Sequence, residues 1–422
     1  MSNMQIGISN IAIISYHSPP ALGGLGADIG SGSTGGMSTY LKQGAGCLDA
    51  DGINVTIFTT NQVKTDKPLD AIVGENIHLV QIPTGEPTSD KNELKGRRDI
   101  FAEGVLSYYS QNKLNNPDLI YSNYWQSFRA AEALKRKNNE AILFQNFHSI
   151  EKTKENLIPG YDLDKERIAE EKEITRLADG IIVSTIAGMH DLRHHYGANK
   201  NKIHIVPPGV NTGTFYPIGK QEAKTALELP QDEYVILSVG RLDPMKNYGL
   251  LIEALGLKIM KDTNSRLYII GGDKGDKERI RLENKTKENS IEDKVNFIDH
   301  MNQQDLASWY NAADVLVVPS LHETFGLVAL EAMACGTPVI ASDVGGLQYL
   351  VVDGYTGYLI PPNNHVSLAK KLESILRDKE TRENMGANAL EHSKNYYCGA
   401  MVSKLFDAFN RVQNSKLAGI KN

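Results

Sequence analysis

Short apolar runs alternate with longer, helically spaced stretches along almost the whole chain. In the first half the β-rich runs are Ile11–Ser15, Asn54–Thr59, His78–Ile82, Leu119–Ser122, Ala141–Asn146, Gly180–Ser184 and Lys202–Val206. Helix-like stretches separate most of them, such as Lys165–Ala178 with Ile168, Ile174 and Leu177 on one side. Pro207-Pro208-Gly209-Val210-Asn211 then breaks the pattern, because two prolines and a glycine stop regular structure. The alternation restarts at Tyr234–Val239, Arg266–Ile270, Lys294–Ile298, Val315–Val318, Pro338–Ala341 and Gly357–Ile360, with helical spacing over Tyr248–Met260 and His365–Arg377.

Strands alternating with helices predict parallel sheets covered on both faces. The break predicts two doubly wound α/β units: residues 1–207 and 208–396, with residues 397–422 a helix crossing back to the first. Ligands of such sheets bind beyond the carboxyl ends of the strands, so two facing units imply a central cleft. A length of 422 residues suits two domains.

Composition changes this picture little: 41% hydrophobic, 23% charged and mean hydropathy −0.33 are ordinary for a globular chain. A net charge of −6 and pI near 6.0 argue against nucleic-acid binding by bulk electrostatics. No apolar run reaches the roughly 18–20 residues that span a bilayer, so no stable membrane insertion is expected. The N-terminus reads as a buried strand rather than an export signal. Cys47, Cys335 and Cys398 are few, odd in number and far apart, which fits a reducing cytoplasm and offers no metal spacing.

Gly30, Gly32 and Gly35 match G-x-G-x-x-G after the first strand. For a nicotinamide site the loop from Ser18 to Gly36 is too long, and the second strand ends in threonines where a ribose-binding acid is expected. Gly35-Gly36-Met37 opening a helix suits a diphosphate or an acceptor group approaching bare backbone N–H groups. Beyond the strand Tyr234–Val239 come Arg241 and Lys246, a rigid fork of donors and a mobile point charge. Both could converge on a diphosphate and stabilise its charge as it departs. Beyond Val315–Val318 stand Glu323 and Glu331, spaced Glu-x7-Glu. Were the segment helical throughout, about 1.5 Å of rise per residue would set their Cα atoms about 12 Å apart. That is wider than the roughly 5–9.5 Å of paired glycosidase carboxyl groups and suits two ends of one extended ligand, such as a nucleotide sugar.

These residues, with Ser15-Tyr16-His17-Ser18-Pro19, Asn123-Tyr124-Trp125, Phe147-His148-Ser149 and Pro208-Gly209-Val210, resemble the retaining nucleotide-sugar glycosyltransferases of the two-Rossmann GT-B type. Within these the likeness is to glycosyltransferase family 4, which includes sucrose-phosphate synthases and inositol-3-phosphate N-acetylglucosaminyltransferases. The resemblance implies that Arg241 and Lys246 hold the donor diphosphate with Gly35 and Gly36 near it, and that Glu331 takes the ribose hydroxyls. It places Glu323 and His148 by the transferred sugar, amides of Phe325, Gly326, Leu327 and Val328 on sugar and phosphate, and backbone near Phe297 on the base. His148, Glu323, Arg241 and Lys246 are the catalytic candidates.

On the acceptor side the resemblance points to His17, Met37, Ser38, Lys91, Tyr124, Ser149, Lys154 and Arg167, with Lys91 and Arg167 gripping a phosphate. Three departures bear on the acceptor: Ser38 replaces an asparagine, Tyr121-Ser122-Asn123 replaces frequent histidines, and no glycine follows His148. The expectation is a cytoplasmic, metal-independent transferase moving glucose or N-acetylglucosamine from a UDP-type donor to a phosphorylated sugar or cyclitol. It needs no cofactor beyond that co-substrate. A homodimer, an unphosphorylated aminocyclitol acceptor and a lipid-linked acceptor stay open. The rival classes are an NAD-dependent oxidoreductase, which lacks its acid, and a non-catalytic relative, which would show damage at Arg241, Lys246, His148 or Glu323.

Overall fold

The structure, a computed structural model, describes residues 7–16, 35–61, 65, 67–85, 91–112, 114–156 and 161–419. Eight strands form one sheet: β1 (Asn10–Ser15), β2 (Asn54–Asn61), β3 (Leu69–Ile72), β4 (Ile77–Pro83), β5 (Leu119–Asn123), β6 (Ile142–Asn146), β7 (Gly180–Val183) and β8 (Ile203–Ile205). Their order is β3-β4-β2-β1-β5-β6-β7-β8, parallel throughout except where β3 runs antiparallel to β4. A second sheet is wholly parallel. It comprises β9 (Tyr234–Val239), β10 (Ser265–Ile270), β11 (Val295–Ile298), β12 (Val315–Val318), β13 (Val339–Ser342) and β14 (Gly357–Ile360), in the order β11-β10-β9-β12-β13-β14.

Why these runs become parallel strands is visible in β1. Ala12 and Ile14 enter one core with Phe58, Val80 and Phe101, while Ile11 and Ile13 enter another with Val55, Ile57 and Leu79. A strand buried on both faces carries a continuous apolar run. Each such Ile or Val contributes about 1.5–3 kcal/mol by leaving water. In the second sheet Val235 and Leu237 of β9 face one core and Ile236 the other.

The chain divides into two compact units, one including Met37–Gly209 and the chain from Cys398, the other Val210–Tyr397. Helix Cys398–Leu417 sets Met401, Leu405, Phe406 and Phe409 against the core that holds Ile11 and Ile13. In each sheet the order in which parallel strands are added switches direction, between β1 and β5 and between β9 and β12. These switch points open crevices at the carboxyl ends of the strands.

Three details differ from expectation. β3 is an additional strand, a short edge with alternating burial whose Asp70 accepts from the Tyr108 hydroxyl. The stretch Tyr248–Met260 is two helices, Tyr248–Gly256 and Lys258–Lys261, because Leu257 takes an extended conformation (φ −69°, ψ 146°). Cys47 and Cys398, 351 residues apart in sequence, form a disulfide with Cα atoms 4.9 Å apart. Folding the last helix back onto the first sheet creates a proximity that spacing along the chain hides. Among the described residues no helix is long and apolar enough to cross a membrane.

Two expectations follow from these contacts. Protein purified without reductant and then denatured should titrate one thiol, the buried Cys335, rising to three after reduction; three at the outset would contradict the pairing. Burial, assisted by Arg411, lowers the His204 pKa from 6.5 to about 4. The unfolded chain therefore takes up this proton first, and stability is lost as pH falls from 6.5 towards 4. His204→Phe should flatten that slope in denaturant titrations across the window, and an unchanged slope would refute the assignment.

Candidate active site

The second sheet assembles its polar residues at the β9–β12 switch point. After β9 a short 3-10 turn, Pro244–Lys246, is capped by the Asp243 carboxylate accepting from Met245 N–H at 2.8 Å. Leu321 N–H, beyond β12, donates to Met245 O at 2.8 Å and ties the two strand-end loops together. Across that tie Lys246 Nζ lies 2.5 Å from Glu323 Oε2, with the side chains 23% and 17% exposed. Arg241 is exposed, its guanidinium 3.9 Å from the Asp243 carboxylate.

Gly326, at φ 105°, turns the chain into helix Leu327–Ala334. Ala329 and Leu330 N–H both donate to Gly326 O. A helix's first N–H groups have no partner within it, so those of Leu327 and Val328 stand at the positive end of the helix dipole without an intrahelical partner. A glycine pair that the sequence reading missed holds this loop in place. A Cβ on Gly346 would lie 2.4 Å from Phe325 Cα, and one on Gly345 2.1 Å from Glu323 O. Gly346 N–H donates to Glu323 O at 2.7 Å.

Glu331 turns inward. It is 3% exposed and accepts from Tyr310 Oη at 2.9 Å and Gln303 Nε2 at 3.4 Å. The helix thus begins only after Glu323, so the two carboxylates do not share a helix face: one is in a loop, one under it. Phe325 is buried, whereas Phe297, on edge strand β11, is half-buried and its carbonyl accepts from Arg279 at 3.2 Å.

The first sheet gathers a different set around β5 and β6. His148, just past β6, is half-buried; burial lowers its pKa from 6.5 to about 4, so the ring is neutral near pH 7. Its Nε2 lies 2.5 Å from Asn123 Oδ1, and its ring packs edge-on against Tyr40 at 4.6 Å. Tyr124 has φ 75° and ψ 155°, a conformation that side chains avoid at about 1–3 kcal/mol. Its ring lies under the Arg167 guanidinium, 5.1 Å away.

Arg167 is 5% exposed and heavily engaged. Nε donates to Glu171 at 2.7 Å, Nη1 lies 2.9 Å from Glu151, and Nη2 donates to Ser149 O and Oγ at 3.0 Å. Lys154 pairs with Glu151 at 2.8 Å and with the Tyr161 hydroxyl at 3.1 Å. Glu151 and Glu171 are 1% and 0% exposed. Arg98 and Lys95, also missed from sequence, add a second layer, Arg98 over the Trp125 ring at 5.1 Å and bound to Glu166 and Glu170. Arg167 is therefore held by two buried carboxylates, where the sequence suggested an arginine open to an anion.

Gly35, Gly36, Met37 and Ser38 fall in the first turn of helix Gly35–Ala50 and Lys91 opens helix Lys91–Gly96, their side chains outside the described set. His17 lies outside the described residues altogether. Among the described residues no group of three or more His, Cys, Asp or Glu side chains is placed to hold a metal ion.

Comparison with known proteins places these features in a family. Residues 34–214 match Glycosyltransferase Family 4, and residues 219–392 match Glycosyl transferases group 1. The D-inositol 3-phosphate glycosyltransferase of Thermomonospora curvata is 33% identical, with 99% of each chain covered. That of Corynebacterium glutamicum is 32% identical over 97% of this chain and 98% of its own. Among solved structures, the sucrose-phosphate synthase of Thermosynechococcus elongatus superposes with a TM-score of 0.84 at 30% identity, covering 96% of this chain and 100% of its own. The chain belongs to glycosyltransferase family 4, with the paired α/β architecture of the GT-B glycosyltransferases.

Proposed function

We propose that this enzyme moves a hexosyl unit, glucose or N-acetylglucosamine, from a UDP-type nucleotide sugar to a small phosphorylated sugar or cyclitol, with retention of configuration. The observation that carries the donor half is the Lys246–Glu323 pair spanning the β9–β12 switch point beside unpaired helix amides. A diphosphate, with more than one negative charge, outcompetes a single carboxylate for Lys246 and leaves Glu323 for sugar hydroxyls. Arg241, exposed on the same loop, supplies a second cation.

In the proposed step the bond from anomeric carbon to diphosphate oxygen breaks and a bond to the acceptor oxygen forms on the same face. The acceptor's hydroxyl proton passes to the departing diphosphate oxygen. The rate then depends on positioning and on neutralising the leaving group. Supporting a phosphorylated acceptor are the relatives, whose names specify inositol 3-phosphate or sucrose phosphate. Tyr124, Ser149, Lys154 and Arg167 stand together in the first unit, as a phosphate clamp requires.

A second reading, an unphosphorylated or amino-bearing acceptor, is favoured by Glu151 and Glu171, which already balance Arg167. Turnover of a UDP-sugar panel against inositol phosphate, sugar phosphates and their unphosphorylated counterparts separates the two. The first reading expects turnover only where a phosphate is present. Lys246→Ala should lower kcat about 10²–10³-fold, the scale of losing one preorganised charge partner in the transition state; wild-type rates would contradict the diphosphate assignment. Arg167→Lys keeps the charge against its carboxylates but loses the fork. It should raise the acceptor KM about tenfold with the donor KM little changed, as loss of one charged hydrogen bond predicts. An unchanged acceptor KM would remove the phosphate from the account.

A further inference from the structure

Asn123 ends β5 at the β1–β5 switch point and is 1% exposed. Its two amide termini face different partners. Nδ2 donates across the switch point to Ser15 Oγ, at the end of β1, at 3.2 Å. Oδ1 lies 2.5 Å from His148 Nε2 and 3.4 Å from Asn146 Nδ2. Asn146 Nδ2 also lies 3.2 Å from His148 Nε2.

The shortest of these contacts, at 2.5 Å, decides the arrangement, and in it Asn146 Nδ2 and His148 Nε2 are two donors sharing one acceptor rather than partners of each other. Asn123 Oδ1 has two lone pairs and accepts from both His148 Nε2–H and Asn146 N–H. Turning the Asn123 amide over would set its NH2 against the NH2 of Asn146. With a proton on Nε2, the imidazole's basic nitrogen is Nδ1, since the bond made by one ring nitrogen fixes the state of the other. Tyr40 holds the ring plane from the edge, and its hydroxyl lies 3.1 Å from that of Tyr121 on β5. The next residue, Tyr124, carries the strained backbone and donates its N–H to Asn146 O at 3.1 Å. Strain of this kind persists where surrounding contacts over-determine the geometry.

We propose that Asn123 is the positioning residue for His148, locking the imidazole in its Nε2–H tautomer so that Nδ1 is the nitrogen that accepts from a sugar hydroxyl. The tautomer lock stands on the geometry of the first unit alone; its use on a sugar rests on the transferase reading. Replacing the acceptor oxygen removes the lock without touching donor-binding residues of the second unit.

The test is nitrogen-15 NMR of histidine-labelled full-length protein, with the His148 signals identified by comparison with His148→Gln. The wild type should show the Nε2–H tautomer at neutral pH. Asn123→Ala should lose that preference and lower kcat about tenfold or more at nearly constant donor KM, since small misplacements of a reacting geometry cost up to about 10²-fold. Asn123→Asp keeps an acceptor at the same place and should retain the tautomer. Its carboxylate should raise the imidazole pKa, the titratable groups shown beside the ring among the described residues being the phenol of Tyr40 and, in contact with it, that of Tyr121. An Nδ1–H tautomer in the wild type, an unchanged tautomer in Asn123→Ala, or no pKa rise in Asn123→Asp would each overturn the proposal. If the wild type turns over no nucleotide sugar, the transferase reading fails while the NMR result still decides the positioning.

Discussion

An ammonium held against a carboxylate across a sheet's switch point is the interaction on which the proposed donor site depends. Lys246 and Glu323 lie beyond different strands, and neither loop would place its charge without the other. The pair is only partly exposed, so each charge needs its partner, and removing one strands the other in a poorly solvated place. An anionic ligand that takes over Lys246 gives that charge a new counter-ion, and it avoids the penalty at Glu323 only by bringing hydroxyl donors of its own, as a nucleotide sugar would. The glycine pair behind the loop explains how this geometry survives in an otherwise mobile kind of structure. Gly345 and Gly346 let two backbones approach more closely than any Cβ would allow.

The first unit solves a different problem. Its cations are numerous, and those gathered around Tyr124 and Trp125 are matched: Arg167 by Glu151 and Glu171, Lys95 by Asp164 and Glu166, Arg98 by Glu166 and Glu170. Such a network fixes side-chain direction more than it attracts ions, because the attraction is already spent internally. The aromatic faces of Tyr124 and Trp125 under these guanidiniums hold them further in plane. Under the proposed function an acceptor would therefore meet an oriented array of donors rather than a basic patch. That agrees with the chain's net charge of −6.

Much of this was legible in the sequence. Continuous apolar runs such as Val315–Val318 declared parallel strands, and with them the placement of Arg241, Lys246 and Glu323 beyond strand ends. What stayed hidden shares one cause, dependence on pairing between distant segments. β3 is a strand only because β4 offers it an edge. Asn123 gains its role from Ser15 and His148, and Glu151 and Glu171 gain theirs from Arg167. Cys47 and Cys398 looked unrelated until the last helix returned to the first sheet. The inward turn of Glu331 towards Tyr310 was likewise beyond any spacing argument.

The central claim is that the loops beyond β9 and β12 clasp the diphosphate of a nucleotide sugar. Its most direct test is a crystal structure of the enzyme with UDP bound. The account predicts the diphosphate against Lys246 and Arg241, with Leu327 and Val328 amides directed at it and the Lys246–Glu323 contact opened. UDP bound elsewhere, or a Lys246–Glu323 pair left intact beside an empty crevice at saturating UDP, would contradict it.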